Sequence, residues 1–393
     1  MVDLIVSAGH IYTEQGVLKN AGIAVAKNKI QAIDQVEKFT LSAETQQFTF
    51  PDTFHIVPGF IDLHIHGANG SDVMDESPDA LAVISRALVQ EGTTAFLATT
   101  MTAAPEKIAS VLGAIRDYMQ VQHEVDGATI VGIHLEGPFL SPDRVGAQRA
   151  DKILLPTIDY ILQWQKESGQ QIKMVTLAPE LPDSLPFIEF LQQKNIIAAI
   201  GHTNATYAET MAAIDAGCSH ATHVFNAMRG LHHREPGAVG AALLSDHVSA
   251  ELIVDGVHLH PAIVQLVLQL KGKENTILVT DAMRAKCMPD GQYDLGDQVV
   301  TVQEGVAKLS DGTLAGSTLT MAQSIQNVMQ FTGCKLGDAV KFAAENPAKK
   351  LNIFHQKGSL AHGKDADFVV LDDRYRVVLT VCGGRVVYSP TVV

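Results

Sequence analysis

The run Ile56-Val-Pro-Gly-Phe-Ile-Asp-Leu-His-Ile-His66 decides how this chain reads. It is apolar until its end, where it closes on two histidines two residues apart. Alternate side chains of a strand point the same way. His64 and His66 therefore aim two imidazoles at one point, an arrangement suited to a metal ion. The run opens a long alternation of apolar strand-like segments and amphipathic helical ones. Eight strand candidates emerge, at 56–66, 93–100, 129–136, 172–179, 196–202, 220–226, 250–257 and 276–281. Helical stretches at 78–91, 106–122, 207–216 and 261–271 lie between some of them. Strands that are apolar on both faces belong to buried parallel sheets. Eight of them with crossover helices predict an α/β fold, the (β/α)8 barrel.

Both ends of the chain have a different texture. Residues 1–55 read as short strands and turns, and so do residues 356–393. We expect the two ends to pair into one small β-sandwich domain beside a barrel spanning 56–355.

Of the 393 residues, 46% are hydrophobic and 18% charged, which is ample material for a large core. A net charge of −14 argues against nucleic acid, which needs a basic surface. The four cysteines, Cys218, Cys287, Cys334 and Cys382, form no C-x-x-C pair. They read as reduced thiols of a cytoplasmic protein. Neither a leader peptide nor a membrane span is expected.

In a barrel of this kind the reactive groups stand at the C-terminal ends of the strands. Here those ends carry His64 and His66, Glu136, His202, His223, His258 and Asp281. Such nitrogen and oxygen donors suit zinc, iron, manganese or cobalt. Glu136 either caps the Gly137-Pro138 turn or bridges two ions. Asp281 is either a ligand or the general base that a metal-assisted hydrolase requires. His220 begins its strand and reads as structural, while His134 is left without a role. The loop Leu231-His-His-Arg-Glu235 reads either as an anion site or as solvated surface. No lysine ends strand four.

Taken together, these motifs resemble the amidohydrolase superfamily and, within it, the family of N-acetylglucosamine-6-phosphate deacetylases. The resemblance extends through Leu135-Glu-Gly-Pro-Phe139, Gly201-His-Thr-Asn204, Val254-Asp-Gly-Val-His258, Thr280-Asp-Ala-Met283 and Leu314-Ala-Gly-Ser317. It implies a metal-dependent hydrolase that removes an acetyl group from a phosphorylated amino sugar, in the gluco or the galacto configuration. The alternative is another amidohydrolase, acting on a cyclic amide or an isoaspartyl dipeptide. By resemblance, Glu136, His202 and His223 hold one divalent ion, His64 and His66 complete a second site, and Asp281 is the acid/base. Asn226, Ala227, Arg234 and His258 then contact the sugar phosphate. Ala147, Leu314, Ala315 and Gly316 line the acetyl and sugar pocket. Where many relatives carry a histidine, this chain has Gln148. A homodimer is implied, with a partner contributing to the phosphate site.

Overall fold

The computed structural model describes residues 2–390. Its centre is a ring of parallel strands: β1 (Phe60–Ile65), β2 (Thr93–Thr100), β3 (Thr129–Glu136), β4 (Ile172–Leu177), β5 (Ile197–Ile200), β6 (His220–Ala221), β7 (Ser249–Ile253) and β8 (Thr276–Val279). Each pairs with the next in parallel register. The ring closes just past β8, where Ile65 bridges Ala282 and the Asp281 N–H donates to the His64 carbonyl at 2.8 Å. Every residue of β2 is buried, as a strand covered on both faces requires.

Helices pack around the ring at Pro78–Leu88, Pro105–Val121, Tyr207–Ala216 and Pro261–Lys271, within a few residues of the expected bounds. The third of these starts on a capping box, in which Thr206 Oγ1 accepts from Glu209 N and Glu209 Oε2 from Thr206 N. That cap fixes the chain directly after the β5 loop. Phe96, Leu112, Trp164 and Phe187 belong to the core between strands and helices. A second apolar cluster joins Ile61, Leu97, Met174 and Ile253, strands on opposite sides of the ring, and so fills the barrel interior.

The run 56–66 is not one strand. His55–Pro58 pairs with Phe368–Leu371 in the sheet of the chain ends, and only Phe60–Ile65 enters the barrel. The division falls at Gly59, where an added Cβ would lie 2.2 Å from Thr94 Oγ1. The end sheet holds eight strands. Leu4–Thr13 runs antiparallel to Gly16–Ala26 and parallel to both Gln46–Thr49 and His55–Pro58.

Two further departures concern the site. The sixth strand is only His220–Ala221, because the chain turns through left-handed backbone at His223 (φ 28°) and Phe225 (φ 80°). Residues 291–308 form a three-stranded antiparallel meander to which the sequence reading assigns no element. Its two-residue loops, Gly296-Asp297 and Glu304-Gly305, have positive φ at both positions, the conformation that suits tight hairpins.

Candidate metal centre

Six side chains from five strand ends converge at the barrel mouth. His64 and His66 stand on and just past β1, and Glu136 ends β3. His202, His223 and Asp281 each lie two residues beyond β5, β6 and β8. These last three have φ of 47°, 28° and 46°. Left-handed backbone costs a non-glycine residue of order 1–3 kcal/mol, so the surrounding bonds must hold it. Ser141 N donates to the His202 carbonyl at 2.9 Å, and Ser317 N to the Asp281 carbonyl at 2.7 Å. Glu180 pins the turn after His202, accepting from Thr203 Oγ1 at 2.5 Å and Asn204 N at 2.6 Å. Gly316 meets the need for close approach, since an added Cβ would fall 2.9 Å from the Asp281 carbonyl oxygen.

The rings are oriented from behind. His66 Nδ1 faces the Thr99 carbonyl at 3.2 Å, His202 Nδ1 the Arg144 carbonyl at 3.1 Å, and His64 Nδ1 a Glu251 oxygen at 3.1 Å. Each Nδ1 therefore carries the proton, and each Nε2 presents a lone pair inward. The Nε2 atoms of His64 and His66 lie 3.3 Å apart, and those of His202 and His223 lie 3.1 Å apart. Two ring nitrogens that close need a positive charge between them, a proton or a metal ion. Glu136 Oε1 is 3.0 Å from His202 Nε2 and 3.2 Å from His223 Nε2, while its Oε2 is 3.2 Å from His66 Nε2. Asp281 Oδ1 is 3.4 Å from His64 Nε2 and 3.2 Å from His66 Nε2. The donors fall into two groups, His64/His66/Asp281 and Glu136/His202/His223, and each group fits a divalent ion.

Electrostatics point the same way. Burial alone would push the His64 and His66 imidazoles down. The Glu136 and Asp281 carboxylates outweigh it, holding His64 well above its ordinary range and His66 at about 9. Burial would push Glu136 up, yet His64, His202 and His223 hold it well below the carboxylate range. Asp281, also opposed by burial, is lowered by His64 and His66. The pocket thus keeps its carboxylates ionised and attracts positive charge, the state in which metal displaces protons from imidazole.

Two histidines acquire definite places. His134 Nδ1 donates to the Leu63 carbonyl at 3.2 Å, and its Nε2 accepts from Thr176 Oγ1 at 2.7 Å. Burial, reinforced by His64, drops its pKa to about 3, so it is a neutral brace between β1 and β4. His220 is not remote from the centre. Its Nε2 lies 2.7 Å from Glu251, whose other oxygen meets His64.

A cavity of about 450 Å³ opens over the donors. Ala147, Asn226, Ala227, His258, Leu314 and Gly316 line it, as the resemblance implies. Ala315 does not: it is fully buried and packs with Met101, Met283 and Leu295 under the meander. Arg234 is also absent from the lining. It sits exposed on the 231–235 loop, where Nη1 donates to His233 Nε2 at 2.7 Å. His258 Nδ1 is held by Asp255 at 2.6 Å. Gln148 lines the cavity and also reaches the metal centre. Its Nε2 donates to Glu136 Oε2 at 2.6 Å, while its Oε1 accepts from Thr102 N at 2.8 Å.

Residues 55–387 match the Amidohydrolase family, and the chain belongs to that family. It is 43% identical, over 96% of its length and 95% of the relative's, to an N-acetylglucosamine-6-phosphate deacetylase of Bacillus subtilis. It is 36% identical, over 95% of its length and 96% of the relative's, to an N-acetylgalactosamine-6-phosphate deacetylase of Escherichia coli O157:H7. Among solved structures it is similar to a variant of the Mycobacterium smegmatis N-acetyl-D-glucosamine-6-phosphate deacetylase in complex with N-acetyl-D-glucosamine-6-phosphate. The TM-score is 0.91 at 34% identity, covering 99% of this chain and 100% of that one.

Proposed function

We propose that this chain hydrolyses N-acetyl-D-glucosamine 6-phosphate to D-glucosamine 6-phosphate and acetate. The observation that carries the reading is the pair of inward-facing Nε2 clusters beside two ionised carboxylates, on the floor of a cavity large enough for a sugar phosphate. His64 and His66 would hold one divalent ion, and Glu136, His202 and His223 a second. Zinc, iron, manganese and cobalt all suit these donors. What such an ion supplies when bound is Lewis-acid polarisation of the acetyl carbonyl and acidification of the attacking water.

The protein's own groups do the rest. Hydrolysis adds the oxygen of one water to the acetyl carbon, breaks the C–N bond and delivers a proton to the leaving nitrogen. Asp281, ionised at the start, takes a proton from the water as it attacks and returns it to the nitrogen, which leaves poorly without it. Gln148 keeps the Glu136 carboxylate from turning. His134 has both ring nitrogens engaged and takes no part. Asn226, Ala227 and His258 would hold the phosphate away from the chemistry, and that remote grip orients the amide. Ala147, Leu314 and Gly316 would line the sugar and acetyl end. Arg234 lies off its own cavity, a position suited to the phosphate of a second copy in a homodimer. Among the described residues no helix is long and apolar enough to cross a membrane. A charged sugar phosphate fits a cytoplasmic reaction.

The test is acetate release from N-acetyl-D-glucosamine 6-phosphate by purified protein, with metal content measured on the same sample. Turnover with about two ions per chain is expected, and a fully metallated but inactive sample would overturn the reading. The galacto epimer is the second reading, favoured by the Escherichia coli relative. Parallel kcat/KM measurements on both epimers separate the two.

A further inference from the structure

Glu251 stands in the middle of β7 with no exposed surface and lines no part of the cavity. An isolated buried carboxylate is costly, so its partners must compensate. Its Oε1 accepts from His220 Nε2 at 2.7 Å. Its Oε2 accepts the His223 main-chain N–H at 3.1 Å and lies 3.1 Å from His64 Nδ1. One carboxylate thus ties a ring on β1, a ring on β6 and the backbone of a donor beyond β6. Asp62, equally buried, provides a contrast. It accepts from His64 N, Thr280 N and Thr280 Oγ1, none of them a ring nitrogen. Asp62 joins strands, whereas Glu251 faces the ring of a side chain grouped with His66 and Asp281 at the barrel mouth.

We propose that Glu251 is a positioning residue of the metal centre: it fixes His64 with the proton on Nδ1 and the Nε2 lone pair facing Glu136 and Asp281, and it anchors the His223 turn through the same oxygen. The proposal rests on the reading that His64 holds an ion. His220 acts one step further out, donating to the other oxygen so that the carboxylate cannot swing away from His64. An acceptor behind a ligating imidazole fixes its tautomer and raises its basicity, and losing one weakens metal binding or activity by about 10–100-fold. The loss falls most on the His64/His66 group, where a ring loses its acceptor; in the other group His202 keeps its tether on the Arg144 carbonyl and His223 loses only a main-chain bond.

Glu251→Leu, of similar bulk, removes both acceptors. Glu251→Gln keeps the shape but accepts at only one terminal atom. Full-length wild type and both variants are titrated with zinc, assayed for kcat and KM, checked by circular dichroism and crystallised with metal. Wild type is expected to bind two ions. In the folded variants the ion of the His64/His66 group should bind about 10–100-fold more weakly, kcat should fall by a similar factor, and KM should hold within about twofold because Glu251 is outside the cavity. The His64 ring should be rotated in Glu251→Leu. If that variant does not fold, Glu251→Gln decides the matter on the affinity of the ion in the His64/His66 group. Wild-type affinity for both ions in a folded variant, or a fall in KM-based binding alone, overturns the proposal. Wild type that saturates with fewer than two ions overturns the two-ion reading instead. In that case an unmoved His64 ring in the variant crystal overturns the Glu251 proposal, and a rotated ring supports it.

Discussion

His64 and His66 belong to the end of β1, whereas His202 and His223 stand beyond their strands. The first pair has regular backbone and rings held by a buried carboxylate and a main-chain carbonyl. The second pair sits in left-handed backbone; loops hold His202, through the Arg144 carbonyl and the Ser141 N–H, and Glu251 holds the His223 main chain. The strand-built pair bears its cost as desolvation, and the loop-built pair as backbone strain. One centre is thus assembled from a rigid half and a half that the loops must keep in place. Glu136 joins the two by giving an oxygen to each.

Asp281 adjoins the rigid pair but shares the strained backbone of the other, so its removal has the largest effect. Asp281→Asn should lower kcat by about 10²–10⁴-fold, the usual worth of a general acid–base, with both ions retained on elemental analysis. Loss of an ion would instead make Asp281 a ligand and enlarge the rigid group. Next in size are His66→Gln and His202→Gln. Each should cost about one ion per chain, from different groups, and a chelator should remove both ions and lower the melting temperature, since ligand linkage at 1,000 Kd is worth about 4 kcal/mol. Simultaneous loss of both ions in either variant would erase the distinction between the halves.

The rigid pair also has its own pH signature. In metal-free protein the His66 pKa is raised to about 9. A raised imidazole pKa stabilises the fold below its unfolded value of about 6.5. That stability declines as pH rises through about 9. Urea titrations of metal-free protein at pH 6 and at pH 9.5 should show the difference, and His66→Gln should reduce it, leaving the share due to His64. Smaller still is Gln148→Ala, expected to lower kcat/KM about tenfold through loss of one charge-assisted bond. Smallest is Gly316→Ala, which forces a Cβ against the Asp281 carbonyl at positive φ. It should cost about 1–2 kcal/mol in denaturant unfolding, with Asp281 the site residue most affected.

The donors were legible because each ends an apolar run, and the barrel's rule for strand ends needs only order and spacing. The division at Gly59 was not, because both sides of it are apolar and buried and no polar break marks the change of sheet. The meander at 291–308 was missed for the opposite reason: its short alternating strands are weak signals, although Gly296-Asp297 and Glu304-Gly305 mark its hairpins. Gln148 and Glu251 act behind other residues, so no spacing rule reaches them. The available signal for Glu251 was a carboxylate set in the apolar stretch 250–254, where burial demands a partner. Arg234 and Ala315 show the limit of motif transfer, since a motif places a residue near a site without saying which atoms face it.

The strand His55–Pro58 has one more consequence, for the order of events on the ribosome. It leads through Gly59 into the strand that bears His64, yet its antiparallel neighbour is Phe368–Leu371. Some three hundred residues separate the partners, and contacts so far apart in sequence close late. A nascent chain can thread most of its barrel while this seam is still open. During that interval His55–Pro58 presents an unpaired apolar edge, the kind of surface on which chains associate wrongly. The stretch of backbone on which the first two imidazoles depend is therefore sealed only after residues 368–371 have been made.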